Sequence, residues 1–214
     1  MTGYLTILSG FSLIVSLIIF GHVFRKKDFG EILKYSIIGF IIAAIDFIVE
    51  YAGTSRGAWT YNESVYFVFD LIPIELVILF FTGGVLLRFV FLNANKIKIP
   101  IKLNTILYIL ILIMAILYAI NSYLGIETTV MSLSVMVGLW GLFNISDKNK
   151  KSAILVAIFV AVVDFVTEVI IIGSGSYDYI NGFSIDVPVV YGLFTLGMLA
   201  LIEKFDKKTD VRTP

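Results

Sequence analysis

Residues 45–61 read IDFIVEYAGTSRGAWTY and residues 163–179 read VDFVTEVIIIGSGSYDY, one pattern met twice at a constant shift of 118 residues. Asp46 falls on Asp164, Glu50 on Glu168, Gly57 on Gly175, Trp59 on Tyr177 and Tyr61 on Tyr179. Chance likeness between apolar helices rests on Leu and Ile, whereas these matches are acids, glycines and aromatics, so the chain carries an internal duplication. Allowing a three-residue deletion, Pro73 meets Pro188, each with an aspartate close upstream, Asp70 and Asp186.

The setting of the repeat is apolar. Hydrophobic residues make up 59% of the 214 and charged residues 15%, against about 25% charged in an average soluble domain. Mean hydropathy is +0.98. A spanning helix needs about 20 mostly apolar residues, and seven stretches qualify: 4–23, 31–53, 66–91, 104–123, 128–145, 153–172 and 185–202. The first lacks a basic leader and an Ala-x-Ala site, so it is expected to be a retained helix. Fifteen of the sixteen Lys and Arg residues fall in alternate connections, Arg56 being the exception. The positive-inside rule then predicts a multi-pass cell-membrane protein with its amino terminus outside and its carboxyl terminus cytoplasmic.

The fold expected is therefore all-α: seven transmembrane helices arranged as two parallel three-helix repeats joined by a linker helix. Residues 1–92 form the first repeat, 93–126 the linker with helix four, 127–205 the second repeat and 206–214 a cytoplasmic tail, all in one membrane domain. An odd linker restores chain direction, which relates the repeats by a pseudo-two-fold axis along the membrane normal. Gly39, Ala43, Asp46 and Glu50 share a face of helix two, as do Ala157, Ala161, Asp164 and Glu168 of helix six. Small residues allow close approach, so helices two and six are expected to face each other.

An ionised side chain at the bilayer centre costs about 2.5 kcal/mol or more, which makes intramembrane acids candidate site residues. Asp46 and Asp164 equally suit neutral structural hydrogen bonding, and Glu50 and Glu168 a solvated interface. Asp70 and Asp186 suit capping of helices three and seven. Glu75 has Val190 at its repeat position, an asymmetry suited to a single working site. It lies about 140 degrees from Asp70 on a straight helix, so a shared cavity requires Pro73 to bend or unwind the segment. Trp59, Tyr61, Tyr177 and Tyr179 suit an interfacial aromatic belt, or the walls of a pocket that stabilises a developing cation. The inner halves of the helices read as almost wholly apolar. Without cysteine, thiol nucleophiles and thiolate metal sites are excluded. No phosphate loop, serine-nucleophile motif or histidine metal spacing occurs, and neither a metal nor another cofactor is expected.

DFIVEYAGTSRGAWTYN and PIELVILFF, with DFVTE, GSYDY and DVPVVYGLF as a diverged partner, resemble the integral membrane carotenoid-biosynthesis proteins, the lycopene cyclase domains and bacterioruberin-type hydratases. Leu76 stands where that family's motif has a second glutamate, and the second repeat has neither. The resemblance implies acid chemistry on a long isoprenoid, cyclisation, hydration or isomerisation through alkene protonation. It makes Glu75 the proton donor, with Asp46, Glu50, Asp164 and Glu168 tuning it, stabilising the cation or taking the proton back, and loss of turnover expected in Glu75→Gln. Trp59, Tyr61, Tyr177, Tyr179, Asp70 and Asp186 would line the substrate site. The partners implied are membrane lipid and a hydrophobic isoprenoid substrate, with homo-oligomerisation open and no nucleic acid. Two other readings stand beside it: a small-solute or cation transporter with parallel three-helix repeats, and a non-catalytic lipid-binding membrane protein.

Overall fold

The computed structural model describes residues 3–62, 64–94, 129–179 and 186–210, with the backbone alone at 129–131, 186 and 208–210. The fourth predicted span and its flanking lysines lie outside the described residues. Six helices are described: α1 (Tyr4–Arg25), α2 (Phe29–Ser55), α3 (Ile74–Ala94), α4 (Thr129–Asn144), α5 (Asp147–Gly173) and α6 (Asp186–Asp210). The last three are the fifth, sixth and seventh predicted spans. All but α4, which has 16 residues, are long and apolar enough to cross a membrane. The fold is all-α with the character of a multi-pass membrane protein. Four short strands accompany the helices: β1 (Trp59–Tyr61), β2 (Phe67–Val68), β3 (Ile72–Pro73) and β4 (Tyr177–Tyr179).

The chain divides into two compact units, Met1–Val90 with Val166–Phe183, and Phe91–Phe165 with Ser184–Pro214. In the first unit α2 begins at Asp28, whose carboxylate accepts the Glu31 N–H at 2.9 Å, the ordinary chemistry of an N-cap. It ends in a Schellman motif: the N–H of Ala58 reaches the Gly53 carbonyl and that of Gly57 the Thr54 carbonyl, with Gly57 at φ 70°. The end of α5 repeats this bond for bond. Ser176 donates to Ile171, Gly175 to Ile172, and Gly175 has φ 75°. A Cβ costs little in the right-handed region and about 1–2 kcal/mol in the left-handed one. Nothing lies within 4 Å of a Cβ built on Gly175, so its cost there is purely conformational. Gly175→Ala is expected to lower stability by about 1 kcal/mol and Gly175→Asn by less, measured by thermal unfolding in detergent; an unchanged melting temperature in the alanine variant would count against the left-handed turn.

The two capped ends feed one antiparallel ladder. Trp59 pairs with Tyr179, Thr60 with Asp178 and Tyr61 with Tyr177. Under the shift of 118 residues, Thr60 is opposite its own counterpart and the flanking pairs are exchanged equivalents. That is the register a local two-fold axis through the middle pair requires.

The third span begins later than its hydropathy suggests. Residues 66–73, read as the start of a helix, instead form the β2–β3 hairpin, with Phe67 opposite Pro73 and Val68 opposite Ile72. The residue before a proline is driven to extended backbone and the proline has no N–H to give. Ile72 is therefore a strand residue, and the helix starts at Ile74. Asp70, expected to cap that helix, sits instead at the hairpin tip. Leu71 donates to the Val68 carbonyl at 3.2 Å across Phe69 (φ 53°) and Asp70 (φ 59°). Two positive φ values make this a type I′ turn, a site for Asn-Gly. Phe69 is held there by edge contacts to Phe47 and Tyr51, each with ring centroids 6.2 Å apart. Asp70 has no such compensation among those ring contacts, and Asp70→Gly is expected to stabilise the protein by roughly 0.5–1 kcal/mol. A lower melting temperature for that variant would show that the turn is not strained.

At Gly39 the small-residue seam of α2 packs on its neighbour α3. A methyl on Gly39 would come within 2.8 Å of the Phe81 carbonyl oxygen, and one on Gly84 within 2.8 Å of the Gly39 Cα. The counterpart seam, in the second unit, closes on α6: a methyl on Gly192 would lie 3.1 Å from the Ala157 carbonyl oxygen and 3.2 Å from the Ala161 Cβ. Between apolar helices in lipid, attraction comes from packing and polar contacts, and small residues give the closest packing. Adjacent helices joined by short connections take that contact first.

Candidate functional site

Glu50 lies on the last turns of α2, 5% exposed. The turn at Gly57 brings β1 back over it. Trp59 donates its Nε1–H to Glu50 Oε2 at 2.8 Å, and the Tyr61 hydroxyl donates to the same oxygen at 2.7 Å. Alternate residues of a strand point to one face, so a three-residue strand delivers both donors. Gly53 leaves the room: a Cβ there would enter the Trp59 indole. β4 adds the other half of an aromatic cluster. Tyr61 and Tyr177 stack at 4.8 Å between centroids, Trp59 meets Tyr179 edge-on at 6.1 Å, and Tyr177 meets Tyr179 at 4.7 Å. Burial pushes the Tyr177 phenol far above its ordinary range, reinforced by Tyr179 and by the carboxylates of Glu168 and Glu50. Tyr177 is thus a neutral aromatic wall at physiological pH and not a base. Asn62 locks the ladder, donating its Nδ2 hydrogens to Asp178 at 2.8 Å and to the Gly175 carbonyl at 2.9 Å.

Asp46 is buried one turn along the same face of α2. Glu168 is half-buried near Tyr177, and Asp164, half-buried on the same helix, belongs to the second unit. The side chain of Asp186 is outside the described ones, and its backbone opens α6.

Glu75 is apart from this cluster. Sitting in the first turn of α3 and 3% exposed, it accepts from the Val65 backbone N–H at 2.7 Å, the Thr6 hydroxyl at 3.1 Å and the Ser64 hydroxyl at 2.5 Å. It clasps α1 and the loop before β2 to the start of α3. Proline does unwind the chain between Asp70 and Glu75, yet the two do not meet: Asp70 faces a cavity shared with Trp59 and Tyr61.

Two charged residues within the helices were missed. Arg88, counted as a loop cation from sequence, is 1% exposed inside α3. It pairs with Glu31 at 2.7 Å and lies 4.9 Å over the Tyr35 ring. In the second unit Glu203, 6% exposed, accepts from the Ser146 N–H at 3.1 Å, pairs with Lys207 at 2.7 Å and is hydrogen-bonded by Asn149. The helix halves far from the strands are therefore not almost wholly apolar. The alignment that superimposes Pro73 on Pro188 also superimposes Arg88 on Glu203, and the first shift puts Glu31 on Asn149; that pairing was the available signal.

No protein-family model, curated protein or solved structure matches this chain.

Proposed function

We propose that this chain is a multi-pass membrane enzyme that protonates an alkene of a long isoprenoid polyene, with Glu50 as the proton donor. In this reading its seven helices form two parallel three-helix repeats about a linker helix, with the amino terminus and the strand ends outside. The carrying observation is the Glu50 carboxyl held by Trp59 and Tyr61 inside an aromatic cluster drawn from both repeats. Both donors use Oε2, which leaves Oε1 to carry the transferable proton. Adding it to the terminal alkene breaks the π bond, forms a C–H bond and leaves a tertiary cation. The rings of Trp59, Tyr61, Tyr177 and Tyr179 attract that cation by about 0.5–2 kcal/mol each. Attack by a neighbouring double bond closes a ring, and return of a proton to Glu50 completes an isomerisation. Attack by water and loss of its proton to Glu50 completes a hydration instead.

Glu50 takes the donor role that the family resemblance gave to Glu75, because Glu75 is committed to three donors that hold the loop. Glu168 is the repeat counterpart of the donor, and Asp46, one turn along the same face of α2, tunes it. The test is expression in a host that accumulates lycopene and other acyclic polyenes, with extracted lipids analysed by mass and chromatography. A new product of unchanged mass supports cyclisation or isomerisation, and a gain of one water supports hydration. No product from the wild-type chain across such polyenes would defeat the reading.

A second reading, transport, is favoured by one specific observation. Ser12, Ser16 and Thr82 meet in the α1–α3 interface, with Thr82 donating to Ser12 at 2.7 Å and Ser16 to the Thr82 carbonyl at 3.4 Å, and Arg88 with Glu31 lies beyond them. Backbone carbonyls interrupt the row, so it makes no continuous proton wire. Ion or solute flux into proteoliposomes that is lost in Thr82→Val would support transport over catalysis.

A further inference from the structure

The type I′ hairpin and β1 border an open pocket of about 320 Å³ whose walls include Trp59, Tyr61, Phe67, Asn62 and Asp70. We propose that this pocket binds a methylated ammonium group. Its sign is negative: Asp70 is the one charged residue lining it. Three of its eight lining residues, Trp59, Tyr61 and Phe67, are aromatic, and aromatic rings attract weakly hydrated cations that pack against them. A hard metal ion needs several converging oxygens, and among the described residues no three His, Cys, Asp or Glu side chains are placed to hold one. The volume lies at the small end of the range for ligand pockets, the scale of a headgroup.

Asp70 stands where the backbone favours glycine, so the turn keeps a carboxylate at a conformational cost. Beside the pocket, Val65, Tyr66 and Phe69 are 78%, 64% and 71% exposed, apolar surface at the ends of spanning helices, where headgroups lie. The ammonium group therefore has two sources, the choline headgroup of a lipid or a free solute. This inference stands apart from the polyene chemistry, since nothing in it requires a proton transfer.

Trp140→Phe leaves Trp59 as the single tryptophan and makes its emission the readout. Protein in a maltoside detergent is titrated with tetramethylammonium, with choline, and with 3,3-dimethylbutanol, the neutral isostere of choline. Saturable changes are expected with both cations and binding at least about tenfold weaker with the alcohol. Asp70→Asn and Asp70→Gly are each expected to weaken tetramethylammonium binding at least about tenfold, while the glycine variant keeps or raises the melting temperature. Equal binding of the neutral isostere, no saturation by either cation, or wild-type binding in both Asp70 variants overturns the proposal. In nanodiscs, a tetramethylammonium curve displaced by phosphatidylcholine relative to phosphatidylglycerol identifies the headgroup as occupant; matching saturable curves identify a free solute.

Discussion

Glu50→Gln is expected to lower polyene turnover by about 10²–10⁴-fold while leaving the protein folded, the range general acid groups contribute. The amide oxygen still accepts from Trp59 and Tyr61, so the turn over α2 is kept. What is lost is the only proton the side chain can give. Glu75→Gln is the matched control. Its amide oxygen can take the Val65 and Thr6 hydrogens, and its NH₂ can donate to Ser64, whose own hydrogen then serves the Tyr66 carbonyl that it already reaches at 2.7 Å. Turnover within a few-fold of wild type is expected there. Product yield per folded protein, read by mass in the polyene host, decides between them; wild-type yield from Glu50→Gln with none from Glu75→Gln would return the donor role to Glu75.

The largest stability effect is expected at the opposite end of the first unit. Glu31→Ala leaves a guanidinium that cannot shed its charge inside apolar helices, and breaking a buried pair from one side costs about 3–5 kcal/mol. For a chain of this length that is a fall on the order of 10 °C in melting temperature. The reverse change is milder. The Glu31 side chain is 27% exposed and keeps Lys34 at 3.0 Å, and Arg88→Met fills the space with an apolar chain, so about 1–2 kcal/mol is expected. Thermal unfolding of the two variants in one detergent settles the order, and a more damaging Arg88→Met would refute the pair as described.

Much of this was legible in residue types. Gly57 and Gly175 matched across the repeat because each must adopt a left-handed turn, and the aromatics two and four residues beyond them matched because they pair in one ladder. The start of α3 was hidden by an apolar run, FVFDLIP, whose hydropathy suits a helix while its proline forbids one upstream. Arg88 was misplaced for a different reason. Counting charges assigns a cation to the nearest connection, and only a partner 57 residues away explains how it can lie inside a span. Glu75 stood out by lacking a counterpart, but an asymmetric acid can hold a loop as well as do chemistry, and which of these it does depends on the donors that surround it.

The middle pair of the β1–β4 ladder bears on the ancestry of the chain. A gene encoding one three-helix unit would make a homodimer closed by the same ladder, with the central residue meeting its own image. Two aspartates there would repel and two threonines would not. Under the proposed duplication, Thr60 opposite Asp178 is a pairing that identical copies could not make, and separate drift of the two halves accounts for it. The Asn62 contact to Asp178 then marks the point at which the halves ceased to be interchangeable.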